Sequence, residues 1–298
     1  MIIQRALHLG MCFGVRDAIH LAQSQAESQP ITVLGDLVHN ETVLSDLRAR
    51  GVQVERHLDA VRTSTVVITA HGASHQRLEA VRQRGFHLIE ATCPLVRFAH
   101  QQLHRLVHEG FHPVIVGIRD HAEVRGLTED LDAVDVVLNE SDVDQLLPRP
   151  RFGVIAQTTQ PVVRVNRLVH RLRHRFPAAT VRLLDTVCMP TKQRQQAATR
   201  LALDSDVVVV IGGAHSNNTR ELVETCRTGC PRVHHIQTAA DLRPEWFLPS
   251  DHVGLTAGTS TPDSAIDDAE AWLRDLSERF TPSPRATRAQ PQAAEVQP

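Results

Sequence analysis

Three short stretches resemble one another and constrain this chain more than any other feature: Gly10-Met11-Cys12-Phe13-Gly14-Val15, Ala91-Thr92-Cys93-Pro94-Leu95 and Asp185-Thr186-Val187-Cys188-Met189-Pro190. Each follows an apolar, strand-like run and precedes an amphipathic helical one, so each cysteine falls where a strand feeds a helix. In open α/β sheets, ligands gather outside the carboxyl ends of strands, and helix N-termini there present free amides and a positive dipole end that favours thiolate. Thiols this far apart in sequence meet at one centre only if the chain folds into three α/β units arranged around it.

The rest of the pattern agrees. Strands are predicted at 2–9, 31–34, 65–70, 87–91, 113–117, 134–138, 151–156, 181–184, 206–211, 233–236 and 252–256, with helices between most of them and a closing helix over 262–280. Repeated strand–helix alternation implies mostly parallel sheets covered by helices. Residues 281–298, rich in Pro, Ala, Gln and Arg, lack apolar periodicity and are expected to be disordered.

Composition narrows the partners. Lys+Arg 32 against Asp+Glu 34 leaves a net charge of −2, which argues against a basic face for nucleic acid or anionic membrane and for a small-molecule partner. Lys192 is the only lysine, which excludes Schiff-base and Walker-type lysine chemistry elsewhere. Neither a signal segment nor an apolar run of ~20 residues is present, so the reading is a soluble, cytoplasmic protein. In such a reducing compartment the five cysteines stay thiols, leaving metal binding or burial as their roles. Cys226 and Cys230, close together near a helix end, are read as structural.

The residues just beyond the predicted strands are Cys12, His39-Asn40, His71-Gly72, Cys93, His121-Ala122-Glu123, Thr158-Thr159, Cys188, Ser216-Asn217-Asn218-Thr219 and Ser260. Singly each has a bland reading: a cysteine as a small buried apolar residue, a histidine or threonine as a cap or turn former. Together they describe a soft-metal site beside an anion pocket. The cysteine spacing does not fit zinc ribbons or fingers, whereas three dispersed thiolates suit an iron–sulfur cluster with one iron lacking a protein ligand. Glycine-rich phosphate loops are absent, but Thr158, Thr159, Ser216, Asn218 and Ser260, with histidines and helix N-termini, can hold a diphosphate.

The set Cys12-Phe13-Gly14-Val15, Val38-His39-Asn40, Ala70-His71-Gly72-Ala73-Ser74, Ala91-Thr92-Cys93-Pro94, His121-Ala122-Glu123-Val124, Gln157-Thr158-Thr159, Cys188-Met189-Pro190-Thr191 with Arg194-Gln195, and Ala257-Gly258-Thr259-Ser260 resembles the 4-hydroxy-3-methylbut-2-enyl diphosphate reductase family, also called IspH or LytB. The likeness spans roughly residues 1 to 280. It implies three α/β domains in a pseudo-threefold trefoil around a central 4Fe-4S cluster: residues 1–14 plus 95–188, residues 15–94, and residues 189–280. It further implies that Cys12, Cys93 and Cys188 hold the cluster with one iron open. His39, His71, His121, Ser216, Asn218 and Ser260 would bind the diphosphate; Glu123 would deliver a proton and Thr158 would orient the substrate hydroxyl. The implied reaction is reductive dehydroxylation of the allylic diphosphate to isopentenyl and dimethylallyl diphosphate, the last step of the non-mevalonate isoprenoid pathway, with electrons from a donor such as ferredoxin or flavodoxin.

Departures from that pattern fall at Leu9, Phe13, Ile118, Ala122, Ala214 and His215. They keep open a divergent paralogue acting on another allylic diphosphate. A non-catalytic iron–sulfur or zinc sensor is the competing class, but it has no need of Glu123 and Thr158 at strand ends.

Overall fold

The structure, a computed structural model, describes residues 1–280; the expected disordered tail at 281–298 lies outside them. Its strands form three separate sheets, and every strand pair in them is parallel. After β1 (Ile2–Arg5) and α1 (Phe13–Ser28), one sheet is assembled from β2 (Ile31–Leu34), β3 (Gln53–Glu55), β4 (Thr65–Ile68) and β5 (His87–Glu90), with α2 (Glu41–Ala49) and α3 (His75–Gln83) as crossovers. The next follows α4 (Pro94–His108) and uses β6 (His112–Val116), β7 (Asp135–Val137), β8 (Arg151–Ala156) and β9 (Thr180–Leu183), connected by α5 (Ala122–Thr128), α6 (Glu140–Asp144) and α7 (Val162–Arg175). The last follows α8 (Met189–Leu203) and contains β10 (Val207–Ile211), β11 (Val233–Ile236) and β12 (His252–Ala257), with α9 (Asn217–Arg227) between β10 and β11 and α10 (Asp263–Phe280) closing the chain.

The strand orders are β3-β2-β4-β5, β7-β6-β8-β9 and β11-β10-β12-β1. This is one arrangement used three times, with β1 standing where β5 and β9 stand in their sheets. The central strands ITVL, TVVI and VVVVI are buried along their whole length, as expected of parallel strands covered on both faces. Apolar clusters lie on both faces of each sheet. The fourth strands are edges and are correspondingly half exposed.

One expected boundary is corrected. Residues 1–14 do not share a sheet with 95–188: β1 pairs with β12, from Ile2 opposite His252 to Arg5 opposite Leu255. A four-residue strand, Ile2-Ile3-Gln4-Arg5, carries no local information about its partner, so sequence pattern alone leaves its sheet open. The repeat supplies the answer: β5 and β9, which deliver Cys93 and Cys188, each take the fourth place in a sheet, beside its third strand, and β1, which delivers Cys12, takes that place beside β12. β1 also stops at Arg5 rather than at residue 9, although the chain keeps following β12 through Ala6 N donating to Leu255 O, Gly10 N to Ala257 O and Cys12 N to Thr259 O.

Candidate functional site: thiols, histidines and a buried carboxyl

Three loops from each unit converge. The fourth strands lead to Cys12, Cys93 and Cys188, which occupy the N-cap positions of α1, α4 and α8, and none of the three makes a side-chain capping bond. Each is fixed through its backbone instead, with Cys12 N donating to Thr259 O at 3.0 Å, Cys93 N to Ala70 O at 3.1 Å and Cys188 N to Thr158 O at 3.0 Å. Those acceptors stand two residues beyond β12, β4 and β8, so the same hydrogen bond recurs in all three units. Long helices thereby point their positive ends at the thiols.

The loops after β4, β8 and β12 supply His71, Thr158-Thr159 and Ser260; those after β2, β6 and β10 supply His39-Asn40, His121 and Ser216. Here the cap bonds are made: Asn40 Oδ1 accepts from Val43 N, His121 Nδ1 from Glu123 N and Ser216 Oγ from Thr219 N. The structure places Cys12, Cys93, Cys188, His39, His71, His121, Glu123, Thr158, Ser216, Asn218 and Ser260 around one cavity, whereas Asn40, Gly72, Ala122 and Thr219, which also stand just beyond strands, do not line it.

Glu123 lies on the first turn of α5, a helix the sequence reading missed. Its carboxyl is 1% exposed, with Oε1 accepting from Thr158 N at 2.7 Å and Oε2 from Thr158 Oγ1 at 2.9 Å. Burial raises its pKa to about 7, against the pull of the two Thr158 bonds. Burial likewise raises the Cys93 thiol and pushes Cys188 up to about 11, opposed at the helix starts by Leu95 and Val96 amides and by Thr191. The thiol of Cys188 donates to Thr191 Oγ1 at 3.1 Å.

The imidazoles of His39 and His71 stack with centroids 4.3 Å apart, and His121 stands edge-on to both at 5.2 and 5.3 Å. Burial lowers all three, His121 to about 3 and His71 well below its ordinary value, and each charged neighbour would depress the others further. Burial thus favours the neutral form of all three. His71 Nδ1 and Asn218 Nδ2 are buried with no partner among the described residues, and both belong to residues lining this cavity. Unsatisfied buried donors of this kind are costly unless a ligand completes them. His39 and His121 also border an open cleft of about 670 Å³ that carries Arg56, Arg77, Arg125 and Arg220. Arg125 and Arg220 make no ion pair among the described residues.

Sequence reasoning gave no role to several residues that shape this site. Arg194, 7% exposed, donates Nε and Nη2 to Gly10 O at 3.0 and 2.7 Å and Nη1 to Pro190 O at 3.1 Å, tying the loop before Cys12 to the helix after Cys188. Asn217 Nδ2 donates to Thr159 Oγ1 at 3.2 Å across two units. The available signal was helical spacing, since Thr191 and Arg194 follow Cys188 on the first turns of α8. Of the departures, Phe13 is 47% exposed at the start of α1, while Ile118, Ala122 and His215 line the open cleft.

Fold and site together define an α/β protein built as a threefold repeat around a single cavity that offers three thiols, three imidazoles and a carboxyl. The family described as "LytB protein" matches residues 3–274, and the chain belongs to that family. Curated relatives named 4-hydroxy-3-methylbut-2-enyl diphosphate reductase include one from Anaeromyxobacter sp. (strain Fw109-5), 37% identical over 95% of this chain and 100% of the relative, and one from Aquifex aeolicus (strain VF5), 36% identical over 92% and 96%. A solved structure of (E)-4-hydroxy-3-methyl-but-2-enyl diphosphate reductase, described as the terminal enzyme of the non-mevalonate pathway, is 33% identical with a TM-score of 0.68, covering 92% of this chain and all of that one. The Plasmodium falciparum E-1-hydroxy-2-methyl-but-2-enyl-4-diphosphate reductase shares the fold at a TM-score of 0.82, with 24% identity over 94% and 99% of the two chains.

Proposed function

We propose that this protein is a 4-hydroxy-3-methylbut-2-enyl diphosphate reductase, removing the allylic hydroxyl as water and yielding isopentenyl and dimethylallyl diphosphate. The observation that carries this reading is the Glu123–Thr158 pair standing in one cavity between the thiols and the imidazoles. A protein that only sensed iron or zinc would have no use for a buried proton donor there.

The residues fit a 4Fe-4S cluster: three uncapped N-terminal thiols, unpaired with one another and with no disulfide among the described residues, converge on the cavity. Cys12, Cys93 and Cys188 would hold it, leaving one iron without a protein ligand. When bound, the cluster supplies electrons one at a time and a Lewis-acidic iron for the hydroxyl. The overall change consumes two electrons and two protons and releases one water. Thiols with raised pKa values must lose protons to bind iron, so cluster loading favours higher pH.

The diphosphate is held by His39, His71 and His121, by Ser216, Asn218 and Ser260, and by the amides at the start of α9. An anion placed against these neutral imidazoles favours their protonation, which adds charge where it is needed. Thr158 Oγ1 orients the substrate hydroxyl. Protonated at Oε2, Glu123 donates to Thr158 Oγ1, and the Thr158 hydroxyl hydrogen is free to pass to the leaving oxygen.

An external reductant is required, and a small ferredoxin or flavodoxin suits one-electron delivery. All five cysteines are free thiols, which suits a reducing cytoplasm, and among the described residues no helix is long and apolar enough to cross a membrane. The direct test is anaerobic incubation of purified protein with substrate and a chemical reductant. Formation of the two five-carbon diphosphates is expected; an iron-replete protein that leaves the substrate intact defeats the proposal.

Gly14 gives a sharper check of the cluster assignment. A Cβ at this position would collide with Cys93 Sγ and lie 3.2 Å from Cys93 Cβ, so Gly14→Ala must push that thiol aside. The variant is expected to fold and to retain less than about half of the wild-type iron, since misplacing a ligand costs at least as much as disturbing an outer-shell partner. Unchanged iron content would show that Cys93 Sγ is not held at the metal.

A further inference from the structure

We propose a second metal site, for a zinc-class divalent cation, formed by His75, His104 and Asp130 at the junction between the β2–β5 and β6–β9 units. The three residues come from the first position of α3, from α4 and from the loop after α5, and one donor atom from each lies within 4.8 Å of the others. The His75 and His104 rings lie with centroids 5.6 Å apart and planes tilted by 50°. Asp130 is already fixed: Oδ2 accepts from His75 N at 2.6 Å and Oδ1 from Gln76 N at 3.0 Å. A carboxylate has about four lone-pair positions, so these two amide bonds leave room for a metal.

A third imidazole stands one helical turn before His104. His100 Nε2 is buried and has no partner among the described residues, and burial lowers its pKa to about 4, with the charges of His104, Asp130 and His75 acting on it. His100 and His104 are spaced i, i+4 on α4, the spacing that places two imidazoles on one helical face. Two imidazoles and a carboxylate, with water completing the shell, are a donor set suited to Zn²⁺. At Zn–N distances of 2.0–2.1 Å, tetrahedral donors stand roughly 3.3 Å apart, so the present group must draw inward. His75 is exposed and His104 half-buried, so both rings can make that adjustment.

The location gives the cation a role. Ser74, which caps α3, donates from Oγ to Glu129 Oε2 at 2.7 Å, and a Cβ on Gly126 would meet the Ala73 backbone at 3.4 Å. Both contacts lie where the loop that carries His71 meets the helix that carries Glu123. A bound cation adds a further tie across this junction, beside these contacts and the Asp130 bonds to the start of α3, and holds the two walls of the catalytic cavity in register without entering it. By linkage it stabilises the folded chain wherever its free concentration exceeds its dissociation constant.

The test uses anaerobic, cluster-loaded, full-length protein freed of loosely bound metal with a chelator and then dialysed against micromolar Zn²⁺. Zinc and iron per chain are measured together. The expected result is about one zinc per chain at unchanged iron, at least ~10-fold weaker zinc binding in His75→Gln and His104→Gln, and a zinc-dependent rise in melting temperature that those variants lack. Equal melting temperatures of variants and wild type in metal-free buffer show that the variants fold. Wild-type zinc affinity in the double variant His75→Gln/His104→Gln overturns the proposal. So does zinc uptake that survives in that variant but disappears in Cys93→Ser, which would place the metal on the thiols.

Discussion

Cys93→Ser is expected to lose nearly all of its iron and sulfide when purified anaerobically, whereas Cys226→Ser should keep the wild-type content. The contrast follows from where the two thiols stand. Cys93 holds the N-cap position of α4 with its sulfur directly against Gly14 in the wall of the cavity. Cys226 is fully buried among Ala198, Leu201 and Leu222, and burial pushes its thiol up to about 12, so it behaves as a small apolar residue. Serine keeps the shape at position 93 but is a poor ligand for iron. With only two thiolates left, activity should fall by at least ~10²-fold, the upper end of what loss of a mere outer-shell partner costs. Iron and sulfide analysis decides the matter, and equal iron in Cys93→Ser and wild type would remove the cluster from this cavity.

The thiols were legible because their signal is local: a cysteine between an apolar run and an amphipathic one marks a strand end entering a helix, and three such junctions imply three units. The histidines and hydroxyls were legible for the same reason. What failed was non-local. Helix α5 has seven residues with Gly126 inside it, too short for a 3.6-residue period to register, so the sequence places Glu123 only just beyond a strand, whereas it lies on a helical first turn. The sheet of β1 could not be read from β1 itself, although the repeat contained the answer, since Cys93 and Cys188 each follow the strand that closes the unit before them. Arg194 was visible only as part of a motif, because its reach to Gly10 O depends on two units meeting. The His75, His104 and Asp130 group was invisible for that reason too: it exists only once α3, α4 and the end of α5 are brought together.

Glu123→Gln is expected to bind substrate with near-normal affinity, to retain a full cluster and to turn over at least ~10²-fold more slowly, a loss of about 2.7 kcal/mol of transition-state stabilisation. Glutamine preserves both contacts with Thr158, its Oε1 accepting from the amide and its Nε2 donating to the hydroxyl, so only the transferable proton is lost. Wild-type Glu123, with a pKa raised to about 7, is protonated enough at neutral pH to act as an acid, and wild-type turnover should decline as pH rises through that value. Stability moves in the opposite sense between the two proteins. Between the ordinary carboxyl value and about 7 the folded state binds more protons than the unfolded one, so wild-type stability falls with rising pH across that window. Glutamine has no charge to bury, so the variant should gain up to ~3 kcal/mol over wild type above pH 7, and the gap should close below about pH 4.5. Slow turnover in a protein that is more stable at pH 8 cannot be ascribed to misfolding. A variant that matches wild-type turnover while showing that stability gain would leave Glu123 as a buried structural acid and move proton delivery elsewhere in the cavity.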